Sequence, residues 1–357
     1  MTRLPALAIP LLLAGCSTPL PPISDCETLD DIRPVCDIQT PEDIAALPDG
    51  RHLLLAHFGH MGDAAGSISL FDTETETLTP LYPASSEAGG GDDSTGWGEA
   101  GCDTPPGASI GPHGTHLHRM DDGRWRYLVV NHGEREAVEL FEVLPAAGSY
   151  TLAWRGCVHA AQDTLMNDVV GLDNGDIVYT RMFRPSDSLA MPKALFGIDS
   201  GELWRWNRAS GLTPLPATSA AQPNGIEVDS DNTYVYANMY MEGEVWQVRL
   251  ADGEVTARYP IPNADNSSWG SDGRLWVATH DMGIREFVEC FSNPGAPCPG
   301  AFEIIALDTA TGEIERVFRH EGPPMGAATV AVYQAGRVYM GSFVGDRMIS
   351  VPDLGRP

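Results

Sequence analysis

One pattern constrains this chain more than any other: a two-residue turn signal followed by a β-rich run, repeated six times. The turns are Asp49-Gly50, Asp122-Gly123, Asn174-Gly175, Asp231-Asn232, Asp272-Gly273 and Ala335-Gly336. They stand roughly 41 to 73 residues apart, the spacing of a repeat architecture. A strand-like run follows each turn, at 52–56, 127–131, 177–180, 234–238, 275–279 and 338–343, and a second one lies beyond the next loop. β-Branched and aromatic residues alternate in several of these runs, as a half-buried sheet requires. Units of a few short antiparallel strands cannot bury both faces alone; arranged radially, each covers its neighbours. The expectation is an all-β fold, a six-bladed β-propeller with metal sites at its centre. A β-sandwich of this length has no sixfold period. The last unit runs short of a strand near Pro357, so residues around 26–40 are expected to close the ring.

Charge and cysteines narrow the setting. The 22 Lys+Arg face 49 Asp+Glu, a net charge of −27, which argues against nucleic acid or an anionic membrane surface as partner. Hydrophobic content of 43% with eight Trp supports a large core and excludes bulk disorder. Lys193 is the only lysine and hence the only Schiff-base candidate. Residues 1–15 read as an export signal: Arg3, an apolar run at 4–13, and Leu13-Ala14-Gly15-Cys16, which resembles the bacterial lipoprotein cleavage box. An ordinary secretory peptide is the alternative. In the lipoprotein reading Cys16 carries the lipid, residues 16–25 form a tether, and 26–357 form the globular domain. Ser17 after the cysteine favours outer-membrane sorting. The chain would then sit in the bacterial cell envelope, touching membrane only through its anchor. Six cysteines remain, at 26, 36, 102, 157, 290 and 298. An oxidising compartment allows 15 pairings; proximity favours Cys26–Cys36 and Cys290–Cys298, which leaves Cys102 and Cys157.

Polar residues recur in register. Seven residues before each turn stand Glu42, Thr115, Asn167, Asn224, Asp265 and Ala328; one residue later stand Asp43, His116, Asp168, Gly225, Asn266 and Thr329. In a propeller such positions share one radius and height, so Glu42, Asn167, Asn224 and Asp265 should converge on the axis with Asn266 beside them. Buried carboxylates repel and lose hydration, at a cost of several kcal/mol each as an order of magnitude. A divalent cation removes that cost, and an all-oxygen set of carboxylates and carboxamides suits calcium. Side chains alternate along a strand, so Asp43 and Asp168 point elsewhere and suggest a second buried ion between blades.

These residues resemble a known family. Pro112-His113-Gly114, Val130-Asn131-His132, Ala137-Val138-Glu139-Leu140-Phe141 and Asn167-Asp168-Val169-Val170 are similar to the serum paraoxonase/arylesterase family. So are Pro41-Glu42-Asp43, Asn224-Gly225-Ile226, Ala264-Asp265-Asn266 and Gly341-Ser342-Phe343, in family order over about residues 40–351. The gluconolactonase/SMP-30 group is a more distant resemblance. The resemblance implies a two-calcium hydrolase whose small-molecule substrate is a lactone or aryl ester. It assigns Glu42, Asn167, Asn224, Asp265 and Asn266 to a catalytic calcium. Asp43, Asp168 and the Thr115 carbonyl go to a structural calcium, and His113 and His132 form a histidine dyad. In that scheme the ion polarises the carbonyl, and His113, titrating near neutral, takes a proton from water while His132 orients it or relays the proton. His280 is a further pocket residue. Where the family has an Asn-Asp-His stretch, this chain has Arg181-Met182-Phe183, so Met182 and Phe183 are expected to line the pocket. No cysteine follows Cys298, so a family disulfide to the C-terminus has no partner here.

Competing readings are weaker. Gly107-Ala108-Ser109-Ile110-Gly111 matches a serine-hydrolase elbow by pattern, but prolines flank it where a strand and a helix are needed. His116-Leu117-His118 with Asp121 is similar to a zinc-hydrolase box without its Asp-His continuation. A propeller lipoprotein whose calcium only stiffens a scaffold is the rival to an enzyme. The loop 89–111, with Asp92, Asp93 and Trp97, is either a lid or an insertion.

Overall fold

The computed structural model describes residues 22–62, 64–83 and 97–355. The expected signal segment, Cys16 and the acidic pair Asp92 and Asp93 lie outside these residues. Six four-stranded antiparallel sheets make up the fold. Their inner strands are Pro41–Ala46, Pro112–Arg119, Leu165–Gly171, Pro223–Val228, Ala264–Trp269 and Ala328–Gln334. Each packs against the next, and the sixth packs against the first, so the ring is closed. The six-bladed propeller expected from the repeat is what forms.

Alternation along the strands explains the packing. In strand Leu275–His280, Leu275 and Val277 join a core with Tyr236, Val245 and Tyr259 of blade four. Trp276 and Ala278 face the other way, onto Ala328, Val338 and Met340 of blade six. Both faces of one sheet are therefore buried by different neighbours, which is why the strand is apolar from Leu275 to Ala278. The ring closes where the sequence suggested: Arg33–Cys36 pairs with Arg347–Pro352 as the outer strand of blade six. Disulfides join Cys26–Cys36, Cys102–Cys157 and Cys290–Cys298. Cys102 ties the stretch 97–111 to the outer strand of blade two, Ser149–His159, and Trp97 is buried in the core. None of that stretch lines the pocket described below.

All six inner strands share one irregularity. Register shifts fall between Pro41 and Asp43, Pro112 and Thr115, Met166 and Val169, Pro223 and Ile226, Ala264 and Ser267, and Ala328 and Val330. A bulge inserts one residue and re-aims its side chain. The residues bulged out of the ladder are the polar ones: Glu42, His113-Gly114, Asn167-Asp168, Asn224-Gly225, Asp265-Asn266 and Thr329.

Candidate metal centre and active site

The bulges are stitched by their neighbours. The Thr329 hydroxyl donates to the Glu42 carbonyl at 2.6 Å, and the Thr180 hydroxyl donates to the Asn224 carbonyl at 2.6 Å. The Asn238 amide donates to the Asp265 carbonyl. Two glycines are required by close approach. A Cβ on Gly114 would overlap the Asp168 carboxylate, and one on Gly225 would overlap the Asp265 carbonyl.

Glu42, Asn167, Asn224 and Asp265 line one pocket together with His113, as the repeat predicted. Asn266 stands behind them, its amide donating to Glu42 Oε1 at 2.9 Å. The other amide nitrogens are also used: Asn167 Nδ2 contacts Met182 Sδ at 3.8 Å, and the Asn224 amide donates to Asp265. What remains are oxygens. Glu42 Oε2, Asn167 Oδ1, Asn224 Oδ1 and Asn266 Oδ1 are buried and have no hydrogen-bond partner among the described residues. Four orphaned buried oxygens on one axis carry a large desolvation penalty unless something positive binds them. Burial, then repulsion from Asp265, raises the Glu42 carboxyl well above its ordinary range; burial raises Asp265 to about 7. This donor set fits a hard divalent cation of calcium's type. Among the described residues no three His, Cys, Asp or Glu side chains group to hold a metal, so the carboxamides are essential to the set.

Asp43 and Asp168 form a second, different set. Asp43 Oδ1 accepts from Ile44 N (2.8 Å), and its Oδ2 accepts from Thr115 N (2.6 Å) and Oγ1 (2.8 Å). Asp168 Oδ1 accepts from Val169 N (2.7 Å), and its Oδ2 accepts from Ile226 N (2.8 Å). The two acids thus tie the first blade to the second and the third to the fourth directly. Every oxygen faces a donor, which favours the ionised form. Burial pulls the other way, raising Asp43 to about 6; burial and Asp43 hold Asp168 well above its ordinary value. Among the described residues neither acid forms an ion pair with a lysine or arginine, and none stands among the largest influences on them. A cation resolves that conflict, so this set fits an ion by charge rather than by unpartnered oxygens.

Blade two departs from the repeat. Its inner strand is longer, so the position seven residues before the turn is Thr115, which pairs regularly with Val129. The bulge there falls at His113-Gly114. His113 therefore takes the place that ligand residues take in other blades. Its Nδ1 lies 2.9 Å from His132 Nε2, and its Nε2 lies 3.8 Å from Glu42 Oε1. Burial and then His132 hold His113 well below the ordinary histidine value. It is thus neutral, with a weaker basicity than the near-neutral titration expected from sequence. His132 is buried behind it, outside the pocket lining.

His280 and Met182 line the pocket as expected; His280 Nε2 is 3.4 Å from Asp265 Oδ2, and Tyr240 Oη is 3.0 Å from its Nδ1. Burial lowers His280 to about 4. Phe183 lies instead in an adjoining apolar groove with Leu165, Pro185, Ala190 and Val288. Met61, Met182, Gln222, Phe287 and Phe291 line both spaces. Helices α1 (Ala190–Ala194) and α2 (Ile284–Phe291) flank the groove. The sequence reading missed Phe58, Met61, Gln222, Tyr240, Phe287 and Phe291; only Phe343 stood in a recognised motif. The discarded motifs stay discarded. His118 Nε2 accepts from the Arg126 guanidinium at 3.1–3.2 Å, so that nitrogen is not free to bind zinc, and Ser109 precedes a strand, not a helix. Lys193 pairs with Asp187 on the surface and is no Schiff-base residue of this pocket.

With the geometry in hand, similarity is decisive. A family model described as Arylesterase matches residues 93–348. The chain belongs to the arylesterase family. That match agrees with the motif resemblance and makes this propeller a member of a hydrolase family. The solved structures similar to it include a gluconolactonase from Xanthomonas campestris, 17% identical over 98% of this chain and 99% of that one, with a TM-score of 0.51. A luciferin-regenerating enzyme is 11% identical over 90% and 94%, with a TM-score of 0.53. The calcium-binding protein regucalcin from Agrobacterium tumefaciens is 13% identical over 90% and 92%, with a TM-score of 0.50. At these identities they speak for the shared fold. No curated protein matches the chain.

Proposed function

We propose that this arylesterase-family chain is a calcium-dependent hydrolase of lactones and aryl esters. The observation that carries the reading is the cluster of four unpartnered buried oxygens, three of them on residues that line a pocket beside His113. Glu42, Asn167, Asn224, Asp265 and Asn266 would hold one calcium; Asp43 and Asp168, beside Thr115, would hold another. Regucalcin, a calcium-binding protein of similar fold, supports the choice of ion. Bound calcium supplies a Lewis acid for the ester carbonyl oxygen. The chain's own residues do the rest. His113, neutral and buried, offers a lone pair to the attacking water, and His132 accepts a hydrogen bond from it and fixes its ring.

Size sets the division of labour. The pocket has a cavity volume of about 60 Å³, room for an ion and a reacting carbonyl but not for a whole aryl ester. The adjoining groove, about 500 Å³, takes the apolar remainder of the substrate. A purely structural ion needs no access from outside, whereas this pocket shares Met61, Met182, Gln222, Phe287 and Phe291 with an apolar groove, which disfavours the scaffold reading. Export with a lipid on Cys16 belongs to the same proposal, and three disulfides agree with an oxidising compartment. The test is a panel of lactones and aryl acetates offered to the calcium-loaded chain. Turnover of either class supports the reading; a fully calcium-loaded chain that hydrolyses none of them overturns it.

A further inference from the structure

The proton on His132 is placed by a residue that stands in none of the motifs named above. His132 Nδ1 lies 2.8 Å from Glu136 Oε2, and Glu136 Oε1 accepts the Met166 backbone N–H at 2.6 Å. Glu136 thus bridges the histidine pair of blade two to the strand that carries Asn167. The His132 side chain is 1% exposed and that of Glu136 is 24% exposed.

We propose that Glu136 is a positioning residue that sets the direction of the hydrogen-bond chain Glu136–His132–His113; this rests on the hydrolase reading above. An ionised carboxylate can only accept, so His132 must carry its hydrogen on Nδ1. Its Nε2 is then a lone pair, and the only hydrogen-bonded arrangement across the 2.9 Å contact has His113 donate from Nδ1. His113 Nε2 is therefore left bare, on the side of Glu42 and the pocket. Reverse the first hydrogen bond and the chain inverts: His132 donates from Nε2, His113 accepts on Nδ1, and its Nε2 carries a hydrogen. In that state it cannot take a proton from water. Glu136 accordingly determines whether the dyad presents a base or a donor to the site.

Glu136→Gln is the informative change because it is isosteric. If its carbonyl oxygen keeps the Met166 bond, its NH₂ group meets His132 Nδ1 and forces the opposite tautomer. The expected result is a kcat reduced roughly 10- to 100-fold with KM nearly unchanged. In a His132→Gln background the same substitution should add nothing. Nitrogen-15 NMR of the imidazoles supplies a readout independent of turnover. Wild-type His132 and His113 should both be protonated at Nδ1, and Glu136→Gln should move both protons to Nε2. Unmoved tautomers in Glu136→Gln, a rise in KM at constant kcat, or an equal loss in the His132→Gln background each overturn the proposal. A wild-type chain with the expected tautomers that hydrolyses no ester overturns the hydrolase reading and leaves the proton order supported.

Discussion

The two oxygen sets on the propeller axis solve one electrostatic problem in opposite ways. Glu42, Asn167, Asn224 and Asn266 point oxygens at nothing in the protein, beside a pocket. Asp43 and Asp168 directly follow Glu42 and Asn167 in the chain, yet every one of their carboxylate oxygens is occupied by a backbone or hydroxyl donor from their own or a neighbouring blade. The first set is built to exchange partners, as a site that binds an ion and a carbonyl must be. The second is built to hold blades together, with any ion there locked into the frame.

That contrast can be broken most strongly at the second set. Asp168→Ala removes the carboxylate acceptors of two backbone N–H groups and half of the anionic pair. It should cost on the order of 3–5 kcal/mol of stability, read as a large fall in the thermal midpoint in calcium; an unchanged midpoint would dissolve the distinction. Next in size is the first set. Asn224→Ala or Asp265→Ala should lose roughly 100-fold or more in lactone turnover while the calcium-loaded fold melts nearly as the parent does. Smaller still, His132→Gln should cost roughly tenfold in kcat, because it removes an orienting bond rather than a ligand.

The weakest effect is on pH. Burial raises Asp265 to about 7 and Asp43 to about 6 in the ion-free chain, from unfolded values of about 4. Acids with raised values hold their protons more tightly when folded. The contribution of these two acids to the stability of the chelated chain should therefore be greatest below about pH 4 and be lost as pH rises through 7. Saturating calcium, which binds the ionised form, should abolish that loss in thermal melts across the same range.

The fold was legible because each blade repeats a turn at a nearly constant distance from a bulge. Glu42, Asn167, Asn224 and Asp265 all stand seven residues before their turns, so counting finds them. His113 escapes the count, since the longer strand Pro112–Arg119 moves its bulge two residues back; the His-Gly motif found it instead. Glu136 had no signal at all. Its meeting with His132 crosses an irregular loop whose path is set by the Met166 amide, a contact between blades. The aromatic wall was hidden for a similar reason. Phe287 and Phe291 sit on α2, and helix and disulfide-closed loop together aim them at a pocket whose other walls are distant in sequence.

The most direct test is lactone hydrolysis followed while bound calcium is counted by elemental analysis during a chelator titration. Activity should vanish as the first calcium leaves, while the second is still bound and the chain still folded, and should return when calcium is added back. Full turnover by a chain stripped of both ions would contradict the metal centre on which everything above depends.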